Sequence, residues 1–203
     1  MKTADKILEE ALILFSIHGY QGVSVEMIAK AVGIKASSLY KHYRNKQSIF
    51  EGIFTMMKDR YQGQEKLLNI PQGAEDVQHF YQQLQPDQLE KISEDLFLYF
   101  IKDEKEARFR HLLIIEQFQN PHIGEILHQR YYEEPLLFQK ELFQSMMDVG
   151  VFKEGDAKIA ALQFFSPIMM LLNCCEQGGI SVEEALAELR KHVQKFRQLY
   201  SKE

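Results

Sequence analysis

Residues 24–43, SVEMIAKAVGIKASSLYKHY, limit what this chain can fold into more than any other stretch. Ser24 is of a type that caps helix N-termini, and Val25, Ile28, Ala29 and Val32 follow at helical spacing. Gly33 supplies the left-handed backbone position that ends a helix, and Ile34 is the apolar residue that locks the turn behind it. A second helix is expected to begin near Lys35 or Ala36, with Leu39 and Tyr43 facing inward. Two short helices joined in this way form a helix-turn-helix, whose second helix is built to lie in the DNA major groove.

Charge points the same way. Between Met27 and Phe50 there is no Asp or Glu, while Lys30, Lys35, Lys41, Arg44 and Lys46 all fall in that window. Residues 1–61 carry nine Lys/Arg against six Asp/Glu, and the remaining 142 residues carry 15 against 23. An acidic chain of net charge −5 with one locally basic element can attract phosphate there without sticking to polyanions in general.

In order along the chain, Ile7, Ala11, Leu14, Phe15, Gly19, Tyr20, Ser24-Val25, Ile28-Ala29, Gly33-Ile34, Leu39-Tyr40, His42-Tyr43 and Lys46 resemble the amino-terminal domain of the TetR family of bacterial transcriptional regulators. The resemblance covers roughly the first quarter of the chain. Ser24, Ser38, Tyr40, Lys41, His42 and Lys46 match family positions that hold phosphates, although Tyr40 and His42 could instead pack against the first helix. Lys35, Ala36 and Ser37 are the candidates for facing base edges: a lysine can donate to guanine O6 and N7, and Ala36 can meet a thymine methyl. Lys35 stands where the family usually has a small hydroxyl residue, and Ser37 where glycine is common. Both departures lie in the second helix and bear on base preference, not on the fold.

The rest of the chain reads as helix. Thr3 is expected to cap a first helix carrying Ile7, Ala11, Leu14, Phe15 and His18 on one face. Lys46 opens a long helix through Ile49, Phe50, Ile53, Phe54, Met57 and Tyr61, ended by the breaker cluster Asn69-Ile70-Pro71-Gln72-Gly73. A short helix within residues 74–86 is expected, then helices over 87–102, 104–119 and 121–149, the last kinked or divided at Pro135. Asp156 caps a helix to about Glu176 with a kink expected at Pro167, and Ser181-x-x-Glu184 is a capping box for a final helix through Leu199. The expected architecture is all-α: a three-helix, helix-turn-helix DNA-binding domain over residues 1–48, a long connecting helix over 46–68, and a helical ligand-binding and dimerisation domain over 74–203.

The two cysteines, Cys174 and Cys175, are adjacent and give no disulfide framework, which suits a reducing compartment. They read as small buried hydrophobes or as an oxidant sensor. Residues 1–6 run straight into an amphipathic pattern without a signal peptide. The most apolar run, Phe164–Cys175, is shorter than the roughly 20 residues a membrane-spanning helix needs. A bacterial cytoplasmic protein with no membrane partner is the expectation.

Two further features concern partners. Ile159, Gln163, Leu186, Leu189 and Val193 lie on the last two helices, where they either fill the chain's own core or pair with a second copy in a four-helix bundle. In the family this chain resembles, those helices make a homodimer, and a helix-turn-helix reading one half-site needs a twofold partner to bind tightly. Phe97, Phe100, His111, Phe118, Tyr131, Phe138, Phe164 and Met169 either pack an ordinary core or line a cavity for an apolar or amphipathic small molecule. His122 and His128 are six residues apart and off one helical face, so with Glu116 they make no convincing metal site. No phosphate loop, nucleophile elbow or paired metal motif appears, and neither catalysis nor a cofactor is expected. The reading is a ligand-released repressor that binds a palindromic double-stranded DNA operator as a homodimer. Its rivals are a helical carrier or enzyme, or a protein-interaction module, with vestigial amino-terminal helices.

Overall fold

In the computed structural model, residues 2–67 and 86–202 are described. The breaker cluster at 69–73 and most of the short helix expected within 74–86 fall outside them. The described helices are α1 (Thr3–His18), α2 (Val25–Val32), α3 (Ala36–Leu39), α4 (Lys46–Leu67), α5 (Pro86–Lys102), α6 (Glu104–Glu116), α7 (Pro121–His128), α8 (Glu134–Asp148), α9 (Ala157–Glu176) and α10 (Val182–Tyr200). A π-helical turn, Gln129–Glu133, joins α7 to α8. Among the described residues there is no strand, only an isolated antiparallel bridge between Phe152 and Ser201. The fold is all-α.

The chain divides into two compact units, Met1–Asn69 with Glu104–Leu127, and Ile70–Asp103 with His128–Glu203. The stretch from residue 74 onward, expected to be one domain, is therefore shared between them, because α6 and α7 belong with the amino-terminal helices. In the first unit, α1 is the central element and packs against α2, α4 and α6. Ile7, Leu8, Ala11, Leu12 and Phe15 of α1 are buried there, with Ile28, Leu39, Ile49, Ile53, Met57, Phe109 and Leu113. Edge-on ring contacts continue from Phe15 to Phe50 at 5.6 Å and from Phe54 to Phe109 at 5.3 Å. Thr3 does not cap α1; it is the first helical residue, and Lys2 holds the cap position without a side-chain bond.

The second unit is built on Phe143, whose ring lies 5.6 Å from Phe152, 5.3 Å from Phe164 and 5.1 Å from Phe196. Asp156 caps α9 by accepting from the amides of Lys158 and Ile159, and the Ser181–Glu184 capping box is complete in both directions. Pro135 divides the expected 121–149 helix: it sits in the first turn of α8, and the π-helical turn takes up the irregularity before it. Pro167, by contrast, is carried inside an unbroken α9. Just before it, His192 of α10 donates from Nε2 to the Phe164 carbonyl at 2.8 Å, and the Tyr200 hydroxyl donates to Gln163 Oε1. These bonds fasten α10 where the proline removes a helical donor. The chain end is tied back by Lys153 N to Tyr200 O at 2.7 Å and Lys202 N to Val151 O at 3.0 Å.

At 20 residues α9 as a whole is long and apolar enough, by length and composition, to cross a membrane, although the run Phe164–Cys175 makes up only part of it. The apolar content has another account, because Ala157, Ala160, Ala161, Phe164, Leu171 and Leu172 are buried in the unit's core. Leu189 and Val193 are likewise fully buried in their own unit, with relative exposures of 0%. They fill the core instead of offering a surface to a second copy. Leu189→Ala is therefore expected to lower the unfolding free energy by about 2–5 kcal/mol, the cost of a core cavity. Ile159→Ala, at a 46% exposed site, should cost far less; denaturant titration of both variants checks the contrast.

Candidate nucleic-acid interface

The helix-turn-helix forms for local reasons. Ser24 is extended at φ −100°, and its Oγ accepts from the Met27 amide at 3.3 Å. At the far end of α2, Gly33 takes φ 81° and bonds back to Lys30 O, while the Ile34 amide reaches Ala29 O at 3.0 Å. That is a Schellman turn, and it needs the left-handed residue that glycine supplies without strain. The second helix is regular only over Ala36–Leu39, shorter than the expected run to Tyr43. Single turns continue it, with His42 N bonded to Leu39 O at 2.9 Å and Tyr43 N to the same carbonyl at 3.1 Å.

Leu39, at 0% exposure, anchors this element in the core. Lys35, Ser37, Tyr40, Lys41 and His42 are exposed around it, and Ala36 and Ser38 are half-buried. The alternative that Tyr40 and His42 pack on α1 is not realised: Tyr40 is 51% exposed, and Tyr43 makes that contact, its hydroxyl donating to Ala4 O at 3.4 Å. Arg44, in the turn before α4, is a further exposed cation on the same stretch. Its place in the acid-free window was the signal that could have added it to the candidates. Asn45 and Ser48 cap α4 reciprocally, Asn45 Oδ1 accepting from Ser48 N at 2.8 Å and Ser48 Oγ from Asn45 N at 3.2 Å.

Lys46 is placed differently from the other cations. Its Nζ donates to Tyr20 O at 2.8 Å and Val23 O at 2.9 Å, and it sits 4.2 Å from the Tyr20 ring centroid. An ammonium has three N–H bonds, and two of them are committed to the turn between α1 and α2. Lys6 is similarly employed, donating to Val32 O at 3.0 Å at the carboxyl end of α2. Both lysines brace the helix-turn-helix. At the opposite end of α2, Glu26 is held below the usual carboxylate range by its backbone hydrogen bond and by Ser24.

The candidate effector residues are not brought together as one set. Phe97 and Phe164 are buried in the second unit's core, with Phe100, Phe138 and Met169 packed against it and Tyr131 buried 5.9 Å from Phe100. His111 and Phe118 belong to the first unit, where His111 is exposed and Phe118 is 89% exposed. Phe118 follows the end of α6 and is not enclosed by other groups. Of the candidate interface residues, Ile159 and Gln163 are exposed and Leu186 is half-buried. Cys174 and Cys175 are free and half-buried; burial, then the neighbouring Cys174 and glutamates, raises the Cys175 thiol. Among the described residues no His, Cys, Asp and Glu group suited to a metal ion occurs.

The family model for bacterial regulatory proteins of the tetR family matches residues 7–53. Residues 7–53 are therefore similar to the amino-terminal domain of that family, over about a quarter of the chain. Over 47 residues this chain is 51% identical to the biofilm operon icaADBC HTH-type negative transcriptional regulator IcaR of Staphylococcus aureus (strain Newman), covering 23% of this chain and 25% of that protein. The chain thus matches about a quarter of the length of the curated relatives. A TetR-like transcriptional regulator from Rhodococcus sp. RHA1 superposes with a TM-score of 0.66 at 18% identity, covering 95% of this chain and 94% of that one. SmeT, the repressor of the Stenotrophomonas maltophilia multidrug efflux pump SmeDEF, superposes with a TM-score of 0.64 at 17% identity, covering 100% and 92%, and is also solved as a SmeT–triclosan complex. At these identities the structures establish a shared fold across the chain.

Removing the Lys46 ammonium leaves the Tyr20 and Val23 carbonyls without their donor. Lys46→Ala is expected to cost about 1–3 kcal/mol of stability, measurable by denaturant titration. The tyrosines supply a pH test. Burial, followed by Glu51 and Glu116, raises Tyr20 above its ordinary 10.0, and burial, followed by Asp5, raises Tyr43. The native protein keeps these protons where the unfolded chain has begun to lose them. Stability is therefore whole below pH 10.0 and falls as pH rises through the native values. Near-ultraviolet titration should show late-ionising tyrosines that disappear in a Tyr20→Phe, Tyr43→Phe double variant.

Proposed function

We propose that this protein is a sequence-specific DNA-binding transcriptional regulator of the bacterial cytoplasm, a repressor that holds a palindromic operator as a homodimer and lets go when a small molecule binds. One observation carries the reading. Lys35, Lys41 and Arg44 stand exposed, with Tyr40 and Ser37, on an element anchored by Leu39 and free of carboxylates from Met27 to Phe50. Lysine and arginine there neutralise phosphates, and the side chains of the short helix reach base edges. Ser24, Ser38, His42 and the third proton of Lys46 complete the backbone contacts, while Lys35, Ala36 and Ser37 read sequence. The likeness of residues 7–53 to a negative regulator supports repression.

In this reading residues 1–48 bind DNA and the helices after residue 74 serve assembly and sensing. Ile159, Leu162 and Met170 are 46%, 49% and 58% exposed on α9, an apolar face that suits a second copy of the same helix. The aromatic group of Phe97, Phe100, Tyr131, Phe138 and Phe164, with Met169, suits an apolar or amphipathic effector, and the SmeT–triclosan complex is a precedent within the fold. An effector that prefers the dimer with its reading helices misplaced for successive grooves weakens operator binding.

Selection of genomic DNA fragments by the purified protein tests the core of this proposal. It should return a near-palindrome whose half-site centres lie about 34–36 Å apart, or a multiple of that spacing. Lys35→Ala should change preference at one base pair per half-site by about 1–3 kcal/mol, whereas Arg44→Ala should weaken all sequences alike and reduce the salt slope by about one. Recovery of no motif sinks the reading. Leu162→Glu with Met170→Glu should give folded monomers by light scattering and circular dichroism; an unchanged dimer moves the interface away from α9.

A further inference from the structure

We propose that Glu116, outside the matched amino-terminal domain, is a positioning residue for the helix-turn-helix: its carboxylate fixes the turn between α1 and α2 by accepting the Tyr20 amide. The inference rests on the reading of this chain as a DNA-binding regulator. Helix α1 stops at Gly19, which takes φ 69° and bonds back to Phe15 O. The chain then leaves the helix, so the next amide, that of Tyr20, lacks a helical acceptor. Glu116 Oε1 meets it at 2.7 Å, from a side chain in a residue only 6% exposed. The Tyr20 carbonyl in turn accepts from Lys46 Nζ at 2.8 Å.

Tyr20 is thus held from two sides, by the last residue of α6 at its amide and by the first residue of α4 at its carbonyl. A Cβ on Gly19 would lie 3.0 Å from Glu116 Oε1, a tight approach that would push the carboxylate back by a few tenths of an ångström, and φ 69° itself favours glycine there. At its other end α6 is tied to α1 by the ion pair of Lys105 with Glu9. The family model ends at residue 53, yet the turn that leads into α2 donates a hydrogen bond to residue 116. The helix-turn-helix of this chain is therefore complete only with the carboxyl end of α6 seated. A hydrogen bond of this length is gone after a displacement of about 1 Å.

The test uses the full chain, the DNA duplex that the wild type selects from its genome, and the variants Glu116→Ala and Glu116→Gln. Glu116→Ala should bind about tenfold more weakly, as the competent population falls. Its salt slope should stay the same, since no phosphate contact is lost. Glu116→Gln keeps an acceptor oxygen and should restore most of the affinity. Hydrogen exchange adds a reading independent of DNA: the Tyr20 amide should be protected in the wild type and exchange at least about tenfold faster in Glu116→Ala. Wild-type affinity in Glu116→Ala, or a Tyr20 amide that exchanges in the wild type like an open turn, overturns the proposal. If Glu116→Ala loses helical content, Glu116→Gln decides: near-native affinity with a protected Tyr20 supports the role, and fast exchange overturns it. A wild type that selects no duplex defeats the DNA reading, and the exchange result alone then decides on Glu116.

Discussion

The Lys46 ammonium between the carbonyls of Tyr20 and Val23 is the interaction on which the helix-turn-helix depends. A turn that leaves one helix and enters another has carbonyls without helical partners, and a charged donor satisfies two of them at once. The stacked position over the Tyr20 ring adds a cation–π contact at the same point. Because Lys46 also begins α4, the bond sets where the long helix starts relative to α2. Lys6 does the equivalent work at the other end of α2. Lys6 and Lys46 thus each carry a structural bond, while Lys30, Lys35, Lys41 and Arg44 are exposed.

The second unit rests on another principle. Phe143, Phe152, Phe164 and Phe196 enclose one another with edge and tilted contacts, and a few polar bonds tie the last helix to this core. His192 and Tyr200 reach α9 just before Pro167, and the chain end is bonded back beside Phe152. Burial supplies most of the stabilisation, while these few hydrogen bonds set the register of the last helix. The exposed stripe of Ile159, Leu162 and Met170 on α9 remains after that packing is complete, whereas Leu189 and Val193 are used up in it.

Local signals were the legible ones. The Schellman turn at Gly33, the cap at Ser24, the complete box at Ser181 and Glu184, the cap at Asp156 and the division at Pro135 all involve residues within a few positions of each other. Their energetics need no tertiary partner, so spacing and residue type suffice. Thr3 misled because a cap residue is recognised by the residues around it, and here Lys2 takes the extended position instead. The inward face of α1 reads in sequence as Ile7, Ala11, Leu14, Phe15 and His18; Leu14 is half-buried and His18 exposed, while Leu8 and Leu12 are also buried because α2, α4 and α6 surround that helix on more than one side.

By itself the sequence determined the helix-turn-helix, the all-α class and the acid-free cationic window, because helical period, caps and charge are written in neighbouring residues. Only the tertiary structure decided which lysines are free. Lys35 and Lys46 look alike in sequence, but one is exposed and the other donates to carbonyls more than 20 residues away. The same holds for the leucines and isoleucines of the last two helices, where period marks an apolar face without saying what covers it. It holds most of all for Glu116, an ordinary helix-ending carboxylate until the fold brings it 2.7 Å from the Tyr20 amide, 96 positions away. Hydrogen bonds and burial between distant segments depend on distances that residue order does not contain.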